Sequence, residues 1–259
     1  MYADSIEAFA RVAERKIELL KSSPLGFFVS SMMAGAYVGI GIILIFVLGS
    51  QVPQEFQKLV MSATFGIALT LVVIAGAELF TGHNMYLVFS RLAGRSTAGE
   101  LAAAWAVSWI GNLAGSVLLV LVFAAGGGAG MLDHADGLVQ RTAAFKIGSP
   151  AFELVARAAL CNWLVCLALW MSGRVAGDTA KCIVIWWCLA AFIACGFEHS
   201  VANMTLLSLA LAGAHPDTVS LAGMAHNLVW VTLGNIIGGS VFVAGGYWIV
   251  SRSPRRSER

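Results

Sequence analysis

Gly196-Phe197-Glu198-His199-Ser200-Val201-Ala202-Asn203-Met204 sets an acid, an imidazole and two hydrogen-bonding side chains inside an apolar stretch running from about 182 to 213. A second stretch, about 60 to 91, is interrupted in the same way by Gly76-Ala77-Glu78-Leu79-Phe80-Thr81-Gly82-His83-Asn84-Met85. At about 1.5 Å per residue, roughly thirty helical residues would overshoot a hydrocarbon core of about 30 Å by half. Each stretch therefore reads as a helix broken in its middle. Polar backbone at such a depth is tolerated only where protein or a polar cavity covers it.

Composition supports this reading. Of 259 residues, 59% are hydrophobic and 12% charged, half the charge of an average soluble domain. Mean hydropathy is +0.82. Further apolar blocks at about 25–49, 101–126, 151–173 and 222–250 complete six segments, each long enough for a lipid bilayer. These values exclude a soluble globular fold. No basic run interleaved with aromatics points to nucleic acid, and no short apolar region with a small-residue cleavage site indicates a removable signal peptide. Cys161, Cys166, Cys182, Cys188 and Cys195 lie in or beside apolar stretches without a C-x-x-C pair, so they read as buried free thiols. No metal and no cofactor is expected.

Positive charge sets the orientation. Arg11, Arg15, Lys16, Lys21, Arg91, Arg95, Arg174, Lys181, Arg252, Arg255, Arg256 and Arg259 fall on one side, against Lys58, Arg141, Lys146 and Arg157 on the other. Both termini are expected in the cytoplasm. Residues 1–22 read as an amphipathic cytoplasmic helix, with Ile6, Phe9, Ala13, Ile17 and Leu20 on one face and a capping box at Asp4 and Glu7. Its place is the membrane surface or a gate over the inner mouth. Residues 23–250 form the membrane domain, and 251–259 a basic cytoplasmic tail.

The two halves echo one another. Glu78 and Glu198 are 198 − 78 = 120 residues apart, and Gly111-Asn112 returns as Gly234-Asn235 at 235 − 112 = 123. Repeats of about 23–126 and 150–250, each with an odd number of crossings, must insert in opposite orientations. Such inverted repeats with matching breaks point to a path near the midplane. Ionisable groups at that depth are costly, which singles out Glu78, His83, Glu198 and His199, joined by Thr81, Asn84, Ser200 and Asn203. The glutamates can also serve the backbone, by accepting N–H groups freed at the breaks. Half-helix N-termini would favour an anion and C-termini a cation. The Gly stripes fit close helix packing.

At these residues the chain resembles the formate/nitrite transporter family. The resemblance rests on Pro24-Leu25-Gly26-Phe27, Glu78-Leu79-Phe80-Thr81-Gly82-His83, Cys161-Asn162-Trp163-Leu164-Val165-Cys166 and the run from Gly196 to Met204, and it covers about residues 20 to 250. It implies an all-α, aquaporin-like channel rather than an enzyme, in a homopentamer with one pore per protomer. His199 would be the central pore histidine, beside Glu198, binding the anion or lending it a proton. Thr81, Asn162 and Lys146 would share the substrate path, and Phe65, Leu69, Leu79, Val165 and Phe192 would form the apolar constrictions. Gly82-His83, Cys161-Asn162-Trp163 and Trp186-Trp187-Cys188 resemble the nitrite branch, and formate is close enough in size and shape to share the pore. A formate, lactate or hydrosulfide channel of the same family is the alternative. A membrane-embedded enzyme using Glu198 and His199 as an acid–base pair lacks a nucleophile or metal-ligand cluster beside them. A non-conducting structural protein is the remaining rival.

Overall fold

The computed structural model describes residues 2–252, and every regular element in them is helical. The basic tail expected at 251–259 lies outside the described residues beyond Arg252. The helices are α1 (Ala3–Ser22), α2 (Pro24–Ser50), α3 (Gln54–Gly76), α4 (Phe80–Leu92), α5 (Ala98–Ala125), α6 (Leu138–Gly148), α7 (Ala151–Ser172), α8 (Asp178–Ala194), α9 (Ser200–Ala212) and α10 (Leu221–Arg252). Five of them, α2, α3, α5, α7 and α10, are long and apolar enough to cross a membrane. The 17-residue α8 falls just short of that length.

Both interruptions are present. Gly76 at φ +85° ends α3 and Gly196 at φ +69° follows α8, a left-handed turn that a side chain would strain. Extended backbone then leads through Leu79 into α4 and through His199 into α9.

The echoed glycines mark where helices meet. A Cβ on Gly115 of α5 would lie 1.9 Å from the carbonyl oxygen of Met32 in α2. One on Gly238 of α10 would lie 2.2 Å from that of Ala159 in α7. Without an aqueous driving force between helices, such backbone contact is a main source of association.

Two expectations need correction. Asp4 and Glu7 form no capping box: α1 starts at Ala3, its N-cap Tyr2 makes no side-chain bond, and Glu7 pairs with Arg11 and Arg95 instead. A capping box does close the start of α5, between Thr97 and Glu100. The segment between the apolar blocks at 101–126 and 151–173 also carries a helix, α6. Its short length and charged residues, after the glycine-rich 126–130, hide it in a hydropathy profile. The thiols also divide, with Cys161, Cys166 and Cys188 buried and Cys195 exposed.

The apolar face of α1 is realised, with Ile6, Phe9, Ala13 and Ile17 buried. The helix packs on α4 and α2 and is tied down by Lys21–Glu100 and by Arg95–Glu14 at 3.1 Å.

Gly115→Ala should destabilise the protein by about 1–3 kcal/mol through overpacking. Thermal melts in detergent should show a Tm several degrees lower. Gly99→Ala, whose nearest neighbour would be Thr97 Oγ1 at 3.9 Å, should leave Tm nearly unchanged.

Candidate functional site

Each break leaves peptide groups without helical partners, and an asparagine from a neighbouring helix takes them up. Asn112 of α5 donates from Nδ2 to Ser31 O (2.7 Å) and Glu78 O (3.0 Å), while its Oδ1 accepts Phe80 N–H (2.9 Å). Asn235 of α10 repeats the arrangement, donating to Ala158 O (2.9 Å) and Glu198 O (3.0 Å) and accepting Ser200 N–H (2.9 Å). These are the asparagines of the Gly-Asn echo. The backbone task considered for the glutamate carboxylates falls to them.

The carboxylates are held by side chains. Glu78 Oε2 accepts from Lys16 Nζ at 2.6 Å and lies 2.7 Å from His83 Nε2. Glu198 Oε2 accepts from Lys146 Nζ at 2.8 Å and Asn203 Nδ2 at 2.6 Å. Each buried acid thus has one lysine and one further donor, as a buried charge requires.

Each trio faces its own cavity. The first, about 290 Å³, is lined by Lys16, Glu78, Leu79, His83 and Tyr86 among others. The second, about 300 Å³, is lined by Lys58, Lys146, Phe192, Glu198, His199 and Asn203 among others. Between them lies a space of about 10 Å³ walled by Val38, Phe65, Ala68, Leu69, Leu79, Val165, Leu189, Phe192 and His199. That is room for about one water molecule. Leu79 borders the first cavity and the narrow space, and Phe192 and His199 border the narrow space and the second cavity. The Phe65 and Phe192 rings meet edge to face at 5.4 Å, and Phe192 stacks on the His199 ring at 6.0 Å.

His199 is the N-cap of α9. Its Nδ1 accepts Ala202 N–H at 3.1 Å, so the proton of the neutral ring resides on Nε2, 3.0 Å from Thr81 Oγ1. That contact joins the starts of α4 and α9. Two helix N-termini, each with partial positive charge, therefore converge where the space is narrowest.

The residues named from sequence take distinct places. Lys146, Glu198 and His199 line the second cavity, and all five apolar residues wall the narrow space. Thr81 is buried behind His199. Asn162 is also buried, and its Nδ2 ties Thr81 O (3.2 Å) to Asn235 O (2.7 Å), fastening one break to the other. Asn84 is buried with neither amide atom hydrogen-bonded among the described residues. Lys16 escaped the sequence reading, because a lysine on a surface helix looks solvated. Asn112 and Asn235 were visible as an echo, but spacing does not reveal partners.

A family model described as formate/nitrite transporter matches residues 3–249. The chain is 52% identical over 256 residues to the nitrite transporter NirC of Escherichia coli (strain K12), covering 99% of this chain and 95% of that protein. Of solved structures, one described as an FNT family ion channel superposes with a TM-score of 0.93 at 53% identity, covering 95% of this chain and 98% of that one. A pentameric formate channel with formate bound superposes with a TM-score of 0.75 at 29% identity, covering 89% and 98%.

Asn235→Ala and Asn112→Ala should each leave buried peptide groups unpaired, at about 1–3 kcal/mol per group. Tm should fall well below wild type in both. Asn84→Ala, which removes no hydrogen bond, should cost less in the same melts.

Proposed function

This chain belongs to the formate/nitrite transporter family, and from that premise we propose that it is a nitrite-conducting channel of the bacterial inner membrane. In this reading it crosses the membrane six times as two inverted repeats with an aquaporin-like course. Residues 54–92 and 178–212 each count as one broken crossing. Both termini face the cytoplasm, so the Lys16 cavity is the inner vestibule and the Lys146 cavity the outer one. The assembly is a homopentamer, supported by the pentameric structure it resembles.

The observation that carries the proposal is the sequence of spaces: two cavities, each holding a lysine–glutamate pair, on either side of an apolar one of about 10 Å³, with His199 at the join and Thr81 bonded to it. An anion drawn into the outer vestibule by Lys58 and Lys146 meets an apolar barrier at Phe192 and Phe65. Losing its water there would cost several kcal/mol unless hydrogen bonds replace it. In this reading His199 Nε2–H exchanges its bond to Thr81 Oγ1 for one to an oxygen of a planar anion, and the two helix N-termini add positive potential. Glu198 keeps Lys146 in place, and Asn162 holds Thr81 in register through its carbonyl.

His199 serves best as a hydrogen-bond donor. Giving its only ring proton to the anion would leave an imidazolate. Acid transfer would first need a second proton on Nδ1, and so the loss of the Ala202 cap. Among the described residues the lining of the path carries no paired nucleophile, which favours conduction over catalysis.

Proteoliposomes holding the purified protein should take up nitrite well above empty liposomes and faster than formate. His199→Ala should lower the nitrite rate about tenfold or more, the effect of losing a hydrogen bond to a charged group. Faster formate uptake would keep the mechanism and change the substrate. Uptake of neither anion would overturn the channel.

A further inference from the structure

Lys16 and Lys146 pair with matching glutamates but stand on unequal supports. Lys16 lies inside the 20-residue α1, where its carbonyl finds a helical partner four residues on. Lys146 lies near the end of the 11-residue α6, among the last four carbonyls, which a helix leaves unpaired. An ammonium on such an end is only as well placed as the end itself.

The first turns of α10 hold that end. Asn227 Nδ2 donates to Lys146 O at 3.0 Å, and His226 Nε2 lies 3.3 Å from Ser149 O. A Cβ on Gly223 would lie 2.2 Å from Ile147 Cγ2, so the start of α10 rests directly on α6. Asn227 also governs the far end of the same lysine. Its Oδ1 accepts from Asn203 Nδ2 at 2.8 Å, and that amide donates to Glu198 Oε2 at 2.6 Å. Glu198 Oε2 in turn takes the Lys146 ammonium at 2.8 Å. Lys146, Glu198, Asn203 and Asn227 thus close a ring that grips the lysine at its backbone and at its charge.

Three members of the ring line the second cavity, whereas Asn227 is buried behind them and does not. Its place calls for donation to a carbonyl and acceptance from an amide at once, which an amide does with two separate atoms. The first half has no equivalent. By the spacing that relates Asn112 to Asn235, 235 − 112 = 123, the matching position is 227 − 123 = 104, an alanine. Lys16, held within its own helix, needs no such grip.

Resting on the channel reading above, we infer that Asn227 is a positioning residue: it fixes the Lys146 ammonium in the outer vestibule and thereby sets the affinity of that vestibule for nitrite. An ammonium that drifts from about 4 to about 7 Å from a bound anion, at an effective dielectric between about 30 and 60, binds it about three- to sevenfold less tightly.

The test is nitrite titration of the purified protein, read by the 15Nζ NMR signal of Lys146, which is assigned by its loss in Lys146→Arg. Nitrite should shift that signal in the wild type and in Asn227→Ala, with a Kd about three- to sevenfold weaker in the variant. In right-side-out vesicles, from cells without other nitrite or formate carriers, flux at subsaturating nitrite should fall by the same factor. The maximal rate should stay within about twofold, the mark of lost binding rather than lost passage. Lys146→Met combined with Glu198→Gln removes both charges together, and Asn227→Ala in that background should change the flux no further. Asn227→Ser, whose hydroxyl cannot reach both partners, should weaken binding in the same direction and carries the test if the alanine variant does not fold. An unchanged Kd in a folded variant overturns the proposal. So does a wild-type Lys146 signal that ignores nitrite, or the same loss of flux in the background lacking both charges. Nitrite binding at Lys146 without wild-type flux would count against the channel reading alone.

Discussion

Extended backbone inside a membrane presents N–H and C=O groups that lipid cannot satisfy, at several kcal/mol for each group left bare. This fold introduces such backbone twice, after Gly76 and after Gly196. Asn112 and Asn235 answer it with the same three bonds: two carbonyls accept from Nδ2 and one peptide N–H donates to Oδ1. Asn162 then ties the helix start after the first break to Asn235, the residue that holds the second. Without these bonds, two helix N-termini would not be held facing each other beside an apolar gap.

The close helix contacts follow from that requirement. Asn112 reaches Ser31 O and Glu78 O together only because α5 lies directly on α2, where a Cβ on Gly35 would come within 2.0 Å of Asn112 O. In the other half, a Cβ on Gly234 would lie 2.3 Å from Val155 O, which places Asn235 against Ala158 O. Glycine and asparagine are adjacent in sequence because one brings the helices together and the other spans the join.

Much of this was legible in the sequence because membranes punish exceptions. Glu78, His83, Glu198 and His199 stood out as ionisable groups in apolar stretches, and the glycines before the glutamates marked the breaks. The family resemblance supplied names for the apolar residues, and the structure places all five around one narrow space. Pairings were not legible. Nothing about Lys16 distinguishes it from Arg15 until α1 packs on α4 and brings its ammonium to Glu78. Helix α6 was hidden because eleven residues with a half-polar surface average to a loop. Hydropathy records where a segment is apolar, not which polar atoms meet across helices.

On the proposed reading, acids beside the route of an anion call for a physical account. A lysine left alone in a cavity of about 300 Å³ would attract a small anion strongly and release it slowly, and conduction needs binding weak enough to leave. Pairing Lys146 with Glu198 cancels most of that attraction, while leaving an ammonium whose remaining hydrogens can meet the anion. Lys58, which also lines this cavity and stands on the helix before the first break, gives it a net positive charge. The Lys16 cavity has no lysine beyond Lys16 among its lining residues, and Glu78 cancels that charge. Two breaks held by the same asparagine bonds thus open on cavities of different charge.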